Sequence, residues 1–262
     1  MNFELKAGLI LAIIILLMVL AGLFRLPESE GMNPEKRFLP PGQGHFLGTD
    51  NFGRDVFSRV IIGSRYTILL AICTVAAAAA LGSVLGLFAG YKGGICDEII
   101  MRLIDAISSF PGILFALAMT AILGNGQLTL FAALSILFIP GFTRIIRSGT
   151  LQYKNADFIM AEKLLGASQF RIIFRHILPN LAPPLFSAAA LGLSNAILAE
   201  SAMSYLGLGI QPPLPSWGRM LSESQNYLIS APWCVLAPGL CIMLAVIAFH
   251  CLGDGLGRRI GG

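Results

Sequence analysis

The chain has 262 residues, 56% of them hydrophobic and 12% charged, with a mean hydropathy of +0.78 and a formal net charge of +4. Soluble domains hold roughly 45–50% apolar and about 25% charged residues, so a soluble globular domain is excluded and an integral membrane protein is indicated. Transmembrane sheet barrels alternate apolar and polar positions over about ten residues, whereas "LAIIILLMVL" and "TVAAAAALGSVLGLFAG" are continuously apolar. The fold class is therefore all-α.

A helix needs about 20 apolar residues to cross a bilayer. Runs approaching that length occupy 7–24, 66–91, 107–123, 128–143, 183–204 and 234–252, which predicts six spans in one transmembrane domain covering 1–262. Span 1 follows Lys6, and Val19 and Ala21 loosely imitate a cleavage site, so a removed signal peptide is the second reading; the run is longer than a usual signal core. Between spans 1 and 2 lies a loop over 25–65 that contains "HFLGTDNFGRDVFSR", the most charged block of the chain. Thr49 or Asp50 is placed to cap a short amphipathic helix with Phe52, Val56 and Val60 on one side and Asp55 four residues before Arg59. Its charges read either as a locally paired, solvated structural face or as an outer gate or docking element.

Tyr66 and Tyr91 bracket span 2 as interfacial aromatics. The long segment 146–182 follows span 4, and within it Ile159, Met160, Lys163 and Leu164 share a helical side before Gly166 breaks the pattern. Ser168 then caps a second helix carrying Phe170, Ile173, Phe174 and Ile177, which Pro179 is expected to stop. A basic amphipathic loop of this kind lies on anionic lipid or inserts into a cytoplasmic partner, and the exposed turn favours the partner. Span 5 ends on Glu200, a carboxylate that would cost about 2.5–3.5 kcal/mol if buried at mid-membrane. Glu200, with Asn195 five residues earlier, reads as part of the outer mouth or pathway or as a local structural anchor. The following "SYLGLGIQPPLPSWGRM" is too rich in Gly and Pro for a regular helix, so its backbone must be satisfied against protein or a watery vestibule.

With the amino terminus inside, eleven of the eighteen basic residues face the cytoplasm, while six of the other seven lie in the first outer loop. The positive-inside bias then puts both termini in the cytoplasm. Cys73, Cys96, Cys234, Cys241 and Cys251 show no CxxC pairing and read as small packing residues. His45, His176 and His250 form no metal-binding spacing. No phosphate loop and no nucleophile elbow is present, so no catalytic, cofactor-binding or metal residue is assigned and any energy comes from elsewhere.

Five separated blocks then carry a resemblance: "LGTDNFGRDVFSRVIIGSR" (47–65), "YKGGICDEIIMRLIDAISSFP" (91–111), "LLGASQFRIIFRHILPN" (164–180), "ESAMSYLGLGIQPPLPSWGRML" (200–221) and "GDGL" (253–256). In order and across nearly the whole chain, they resemble the C-type permease of binding-protein-dependent ABC importers for dipeptides, oligopeptides and nickel. The resemblance implies a type I importer permease in a bacterial or archaeal cell membrane. It also implies a heterodimer with a homologous permease, two ATP-binding subunits, an extracytoplasmic solute-binding protein, no cofactor and no nucleic acid.

It further implies that Ala161, Glu162, Leu165, Gly166, Ala167, Phe170 and Arg171 form the coupling loop that docks on an ATPase, where glycine at 166 permits a left-handed reversal. Asp50, Gly53, Arg54, Asp55 and Arg59 match the outer-loop motif, and the motif's role is to hold shape rather than to bind cargo. The family's Glu-Ala-Ala reads Met160-Ala161-Glu162 here, and the end of the chain diverges after "GDGL". Peptide is the expected cargo, with nickel or a metal chelate the alternative. A secondary transporter would show an internal repeat and more intramembrane ionisable residues, and a membrane enzyme would show a catalytic pair or metal set in its spans; neither pattern is visible in the sequence.

Overall fold

The computed structural model describes residues 3–24, 31–42 and 44–260, so residues 25–30 and 43 of the expected outer loop and the last two residues lie outside it. Continuous apolar sequence yields helices: α1 (Phe3–Ala21), α2 (Val56–Lys92), α3 (Gly94–Ser108), α4 (Gly112–Leu123), α5 (Gln127–Tyr153), α6 (Asp157–Leu164), α7 (Gln169–Arg171), α8 (Leu178–Tyr205), α9 (Trp217–Ser224) and α10 (Trp233–Ile260). A π-helical turn, Ile172–Ile177, joins α7 to α8. Among the described residues the sole β pairing is the isolated bridge between Thr49 and Asp55.

Five continuous helical stretches are long and apolar enough to cross a membrane, and α3 with α4 makes a sixth candidate bent by 88°. The bend falls at the start of the span expected at 107–123. Pro111 has no N–H to give and disfavours helical backbone at Phe110, so the helix breaks there. Upstream, α3 carries Asp97, Glu98, Arg102 and Asp105 and buries only Ile104. Downstream, α4 has 12 residues, about 18 Å of helix, well short of a hydrocarbon core of roughly 30 Å.

The longest helix, α2, starts ten residues before Tyr66 and packs most extensively on α5. Gly82, Gly86 and Gly90 recur every four residues and let the two backbones approach, the small-residue contact that membrane helices use in place of a hydrophobic drive. A Cβ at Gly86 would sit 2.6 Å from the Thr143 carbonyl oxygen, and one at Gly82 would sit 2.7 Å from the Phe142 Cβ. Thr143 and Thr150 return their hydroxyls to their own helix, on the carbonyls of Ile139 and Ile146, so the seam holds no unpaired hydroxyl from either. Around it, Ile68, Ala71 and Val75 of α2 meet Phe142 of α5, Ala196 and Ile197 of α8 and Ala245 and Ala248 of α10. On the flank, α1 packs against α10 and α2, burying Leu5, Ile15 and Val19, as a member of the bundle does. Its other face, including Ile10, Ile13, Leu16 and Leu17, is exposed.

Replacing Gly86 by valine adds three carbons where the first already collides. It is expected to destabilise the purified chain by about 2 kcal/mol, measured as a lowered melting temperature. Gly141→Ala, at a position with nothing within 4 Å of the added carbon, should leave that temperature unchanged.

Candidate functional site

The sequence-predicted residues gather at two ends of the bundle. At one end the block 45–55 is a folded loop rather than a helix, because the Asp50 carboxylate turns the chain back on itself. Asp50 Oδ1 accepts from the backbone N–H of Phe52 at 2.8 Å and of Arg54 at 3.0 Å. Gly53 has φ +73°, and a Cβ there would overlap the Asn33 carbonyl oxygen, so only glycine closes this turn. The cap of the following helix is Asp55, not Thr49 or Asp50: its Oδ2 accepts from Ser58 N–H at 2.7 Å and starts α2. Its other oxygen lies 3.0 Å from His45 Nδ1.

With Asp55 so engaged, the expected Asp55–Arg59 pair does not form. Arg59 reaches instead to Glu223 Oε2 at 3.0 Å and Asp50 Oδ2 at 3.7 Å. Arg54 bonds Asp50 at 2.7 Å and the same Glu223 oxygen at 2.9 Å, and Arg219 Nε holds the second Glu223 oxygen at 3.2 Å. Three guanidiniums thus share two carboxylates across a chain separation of more than 160 residues. Nor is this face solvated: Asp50, Arg54, Asp55 and Arg59 are each at most 6% exposed. Sequence reasoning missed Glu223, Arg219 and His45; the i,i+4 spacing of Arg219 and Glu223 beside "PSWGRML" was the available signal.

Beside this cluster, Glu200 is fully buried within a cage of hydroxyls. Ser204 Oγ donates to it at 2.7 Å and Ser201 Oγ at 3.4 Å, and the hydroxyls of Thr67 and Ser216 also face it. Three of these hydroxyls accept in turn from the irregular segment and from α9: Thr67 from Trp217 N–H at 3.2 Å, Ser216 from Arg219 N–H at 3.2 Å, and Ser204 from Ile210 N–H at 3.3 Å. The carboxylate therefore anchors backbone that has left the helical ladder. Gln211 adds to this by donating to the carbonyls of Gly207 and Gly209. Asn195 stands apart, exposed on α8 and not joined to Glu200.

At the opposite end, α6 closes in a Schellman turn. Gly166 takes φ +79°, its N–H bonds Lys163 O, and Ala167 N–H bonds Glu162 O. Ser168 caps the next helix by accepting from Arg171 N–H at 3.3 Å. The helix does not stop at Pro179. That residue falls in the first turn of α8, where its missing N–H is harmless, and the π-helical turn carries the chain through. Ile159, Ile172 and Ile177 are buried against Ile146, Leu87 and Leu181, so Ile159 faces inward, away from its expected companions Met160 and Leu164.

Outward, Leu164, Leu165 and Phe170 are 89%, 83% and 76% exposed. Ala161 and Arg171 share this exposure, and Ala167 is half-buried. Glu162, the displaced acid, reaches back to His176 Nε2 at 3.6 Å and so leaves the exposed face. Among the described residues no trio of His, Cys, Asp or Glu is gathered as a metal site would require.

The family described as "Binding-protein-dependent transport system inner membrane component" matches residues 82–262. The chain is 42% identical to the dipeptide transport system permease protein DppC of Alkalihalophilus pseudofirmus, over 95% of this chain and 82% of that one. It is 41% identical to the glutathione transport system permease protein GsiD of Pectobacterium atrosepticum, over 82% and 72% of the two chains. To the di/tripeptide transport system permease protein DppC of Pseudomonas aeruginosa it is 39% identical, over 92% and 83%. In fold it is similar to a chain of the MetNI methionine ABC transporter in an inward-facing conformation, with TM-score 0.62, 16% identity, and 78% and 97% of the chains covered.

Glu223→Ala would leave Arg54 and Arg59 buried with one shared carboxylate. Breaking a buried pair from one side costs about 3–5 kcal/mol, so this variant is expected to lower the melting temperature sharply. The exposed-pair variant Glu98→Ala should not, since Glu98 and Arg102 bridge in solvent.

Proposed function

The chain belongs to the family of binding-protein-dependent transport system inner membrane components, and on that premise we propose that it forms half of a translocation pathway for di- or oligopeptides. In this reading it is the C-type member of a heterodimer with a homologous permease. Two ATP-binding subunits hydrolyse ATP beneath the pair, and an external solute-binding protein delivers cargo above it. Both termini face the cytoplasm. Peptide is preferred as cargo because relatives named for dipeptide, glutathione and di/tripeptide transport align with most of the chain.

The observation that carries the reading is the exposed apolar face of Leu164, Leu165 and Phe170 on a turn whose backbone is fixed by Gly166 and Ser168. Large apolar side chains grouped on a surface mark an interaction site, and here the proposed occupant is the groove of an ATP-binding subunit. Closure of the two ATPases moves this turn. Ile159 and Ile172, seated against Ile146 and Leu87, pass the movement to α5 and α2, and the π-helical turn passes it to α8. The packed bundle then rocks between outward and inward access, a rigid-body transition. Asn195, a polar side chain exposed within an apolar helix, is proposed to line the pathway. Glu200 is proposed as the anchor of the outer mouth, not as a cargo ligand.

A cysteine placed at Ala167 should crosslink to a cysteine in the groove of the ATP-binding subunit, whereas labelling of that cysteine only from outside the cell would overturn the topology. The double variant L165S/F170S is expected to lower dipeptide uptake at least tenfold while the ATP-binding subunits keep their basal hydrolysis. Loss of the permease gene should abolish di- or tripeptide uptake; loss of nickel uptake alone would move the cargo to the metal.

A further inference from the structure

Two cavities meet where α2 and α5 reach the coupling turn. The smaller, about 360 Å³, is lined by Tyr91, Lys154, Lys163, Ala167, Gln169 and Ile172. The larger, about 620 Å³, shares Tyr91 and Gln169 with it and runs along α2 past Leu87 and Phe88 as far as Ala79, with Phe170, Ile173 and Phe174 on the opposite wall, so its rim, through Phe170, adjoins the face proposed to dock on the ATP-binding subunit. The first is polar and the second almost wholly apolar.

Charge sharpens the contrast. Lys154 Nζ donates to Gly90 O at 2.8 Å and Lys163 Nζ to Lys154 O at 3.3 Å. One N–H of each ammonium thus caps a helix end, and two per lysine remain. No carboxylate lines the smaller cavity, and among the described residues neither lysine forms an ion pair; Asp97 lies within electrostatic reach of Lys154, but both its oxygens are held by Arg147. Lys92, on the lining of the larger cavity, lies 4.4 Å from the centre of the Phe88 ring and adds a third cation.

Length decides between occupants. From Ala79 to Tyr91 the helix rises about 18 Å, comparable to one leaflet of a hydrocarbon core of roughly 30 Å. The polar cavity lies at the ends of α2 and α5, beside Tyr91 and Tyr153, residues suited to the headgroup region. A free anion would fill only the polar cavity. A peptide would find no partners for its backbone against Leu87, Phe88, Ile173 and Phe174.

We infer that the joined cavities bind one anionic phospholipid, its phosphate between Lys154 and Lys163 and an acyl chain against Phe88 and Phe174. The lipid then touches α2, α5 and the coupling turn at once, and bilayer composition bears on the joint that transmits movement. Only the choice of the cytoplasmic leaflet rests on the proposed orientation.

The test uses the assembled complex in lipid nanodiscs of phosphatidylcholine, with tryptophan introduced by Phe88→Trp and the parent complex subtracted as background. A minor fraction of brominated phosphatidylglycerol is compared with the same fraction of brominated phosphatidylcholine as quencher. Both leaflets carry the same lipids, so the readout is independent of orientation and stands or falls apart from the topology.

Each basic residue near an anionic headgroup contributes enough for the phosphatidylglycerol preference to reach roughly tenfold in apparent affinity. K154Q/K163Q should abolish that preference and K154R/K163R should retain it, the latter also showing that the site stays folded. Equal quenching by the two lipids, or a preference unchanged in K154Q/K163Q, would overturn the inference. Inorganic phosphate that protects Lys163 from acylation in pure phosphatidylcholine discs, with no preference for brominated phosphatidylglycerol, would assign the site to a soluble anion instead. A preference present in the permease pair and lost when the ATP-binding subunits are added would assign the lysines to an acidic protein surface.

Discussion

Backbone that leaves the helical ladder beside a bilayer must find its hydrogen bonds within the protein or in a water-filled cavity. The segment between α8 and α9 meets much of that demand through buried side chains, and this end of the molecule is organised by the way it does so. Glu200 is buried without a cation, yet it is stable there because hydroxyls surround it, and those hydroxyls accept from Trp217, Arg219 and Ile210. One carboxylate thereby fixes the start of α9. Once α9 is fixed, Arg219 and Glu223 stand opposite Asp50, Arg54 and Arg59, and the first loop is locked to the last third of the chain. Trp217, fully buried, adds an indole hydrogen bond to the carbonyl of Val60 at 3.0 Å.

Such a cluster is a specificity device more than a source of stability. Buried ion pairs roughly repay their desolvation, but losing one partner is severe. The arrangement therefore penalises any packing in which α9 sits elsewhere. Shape-holding charge of this kind agrees with a surface that has to receive a partner in one geometry.

Much of this was legible in the residues, and the parts that were not have physical causes. Gly166 and Ser168 declare a reversal and a cap through local chemistry, and local chemistry is what a sequence states openly. The cap expected at Thr49 or Asp50 falls on Asp55 instead, because Asp50 turns inward to the N–H groups of Phe52 and Arg54. Hydropathy marks the third span only by its apolar half, 112–123, and carries no sign of the polar α3 that precedes the break at Pro111. Pro179 read as a stop because a proline inside a helical pattern removes a ladder N–H, and only the π-helical turn before it shows that it sits in a first turn instead. The link of Glu223 to Arg54 and Arg59 lay beyond any local pattern, since those two partners sit more than 160 residues away.

The two ends of the bundle are joined by one element. With 37 residues and no proline, α2 runs unbroken from the Asp55 cap to the wall of the lysine cavity, a rod of about 55 Å. A tilt of roughly ten degrees about its midpoint swings its ends in opposite senses by about 5 Å each. The ion cluster at one end and the lysine cavity at the other are thus carried on one rod. In the proposed importer a tilt about its midpoint opens one side as it closes the other, with no separate signal passing between them.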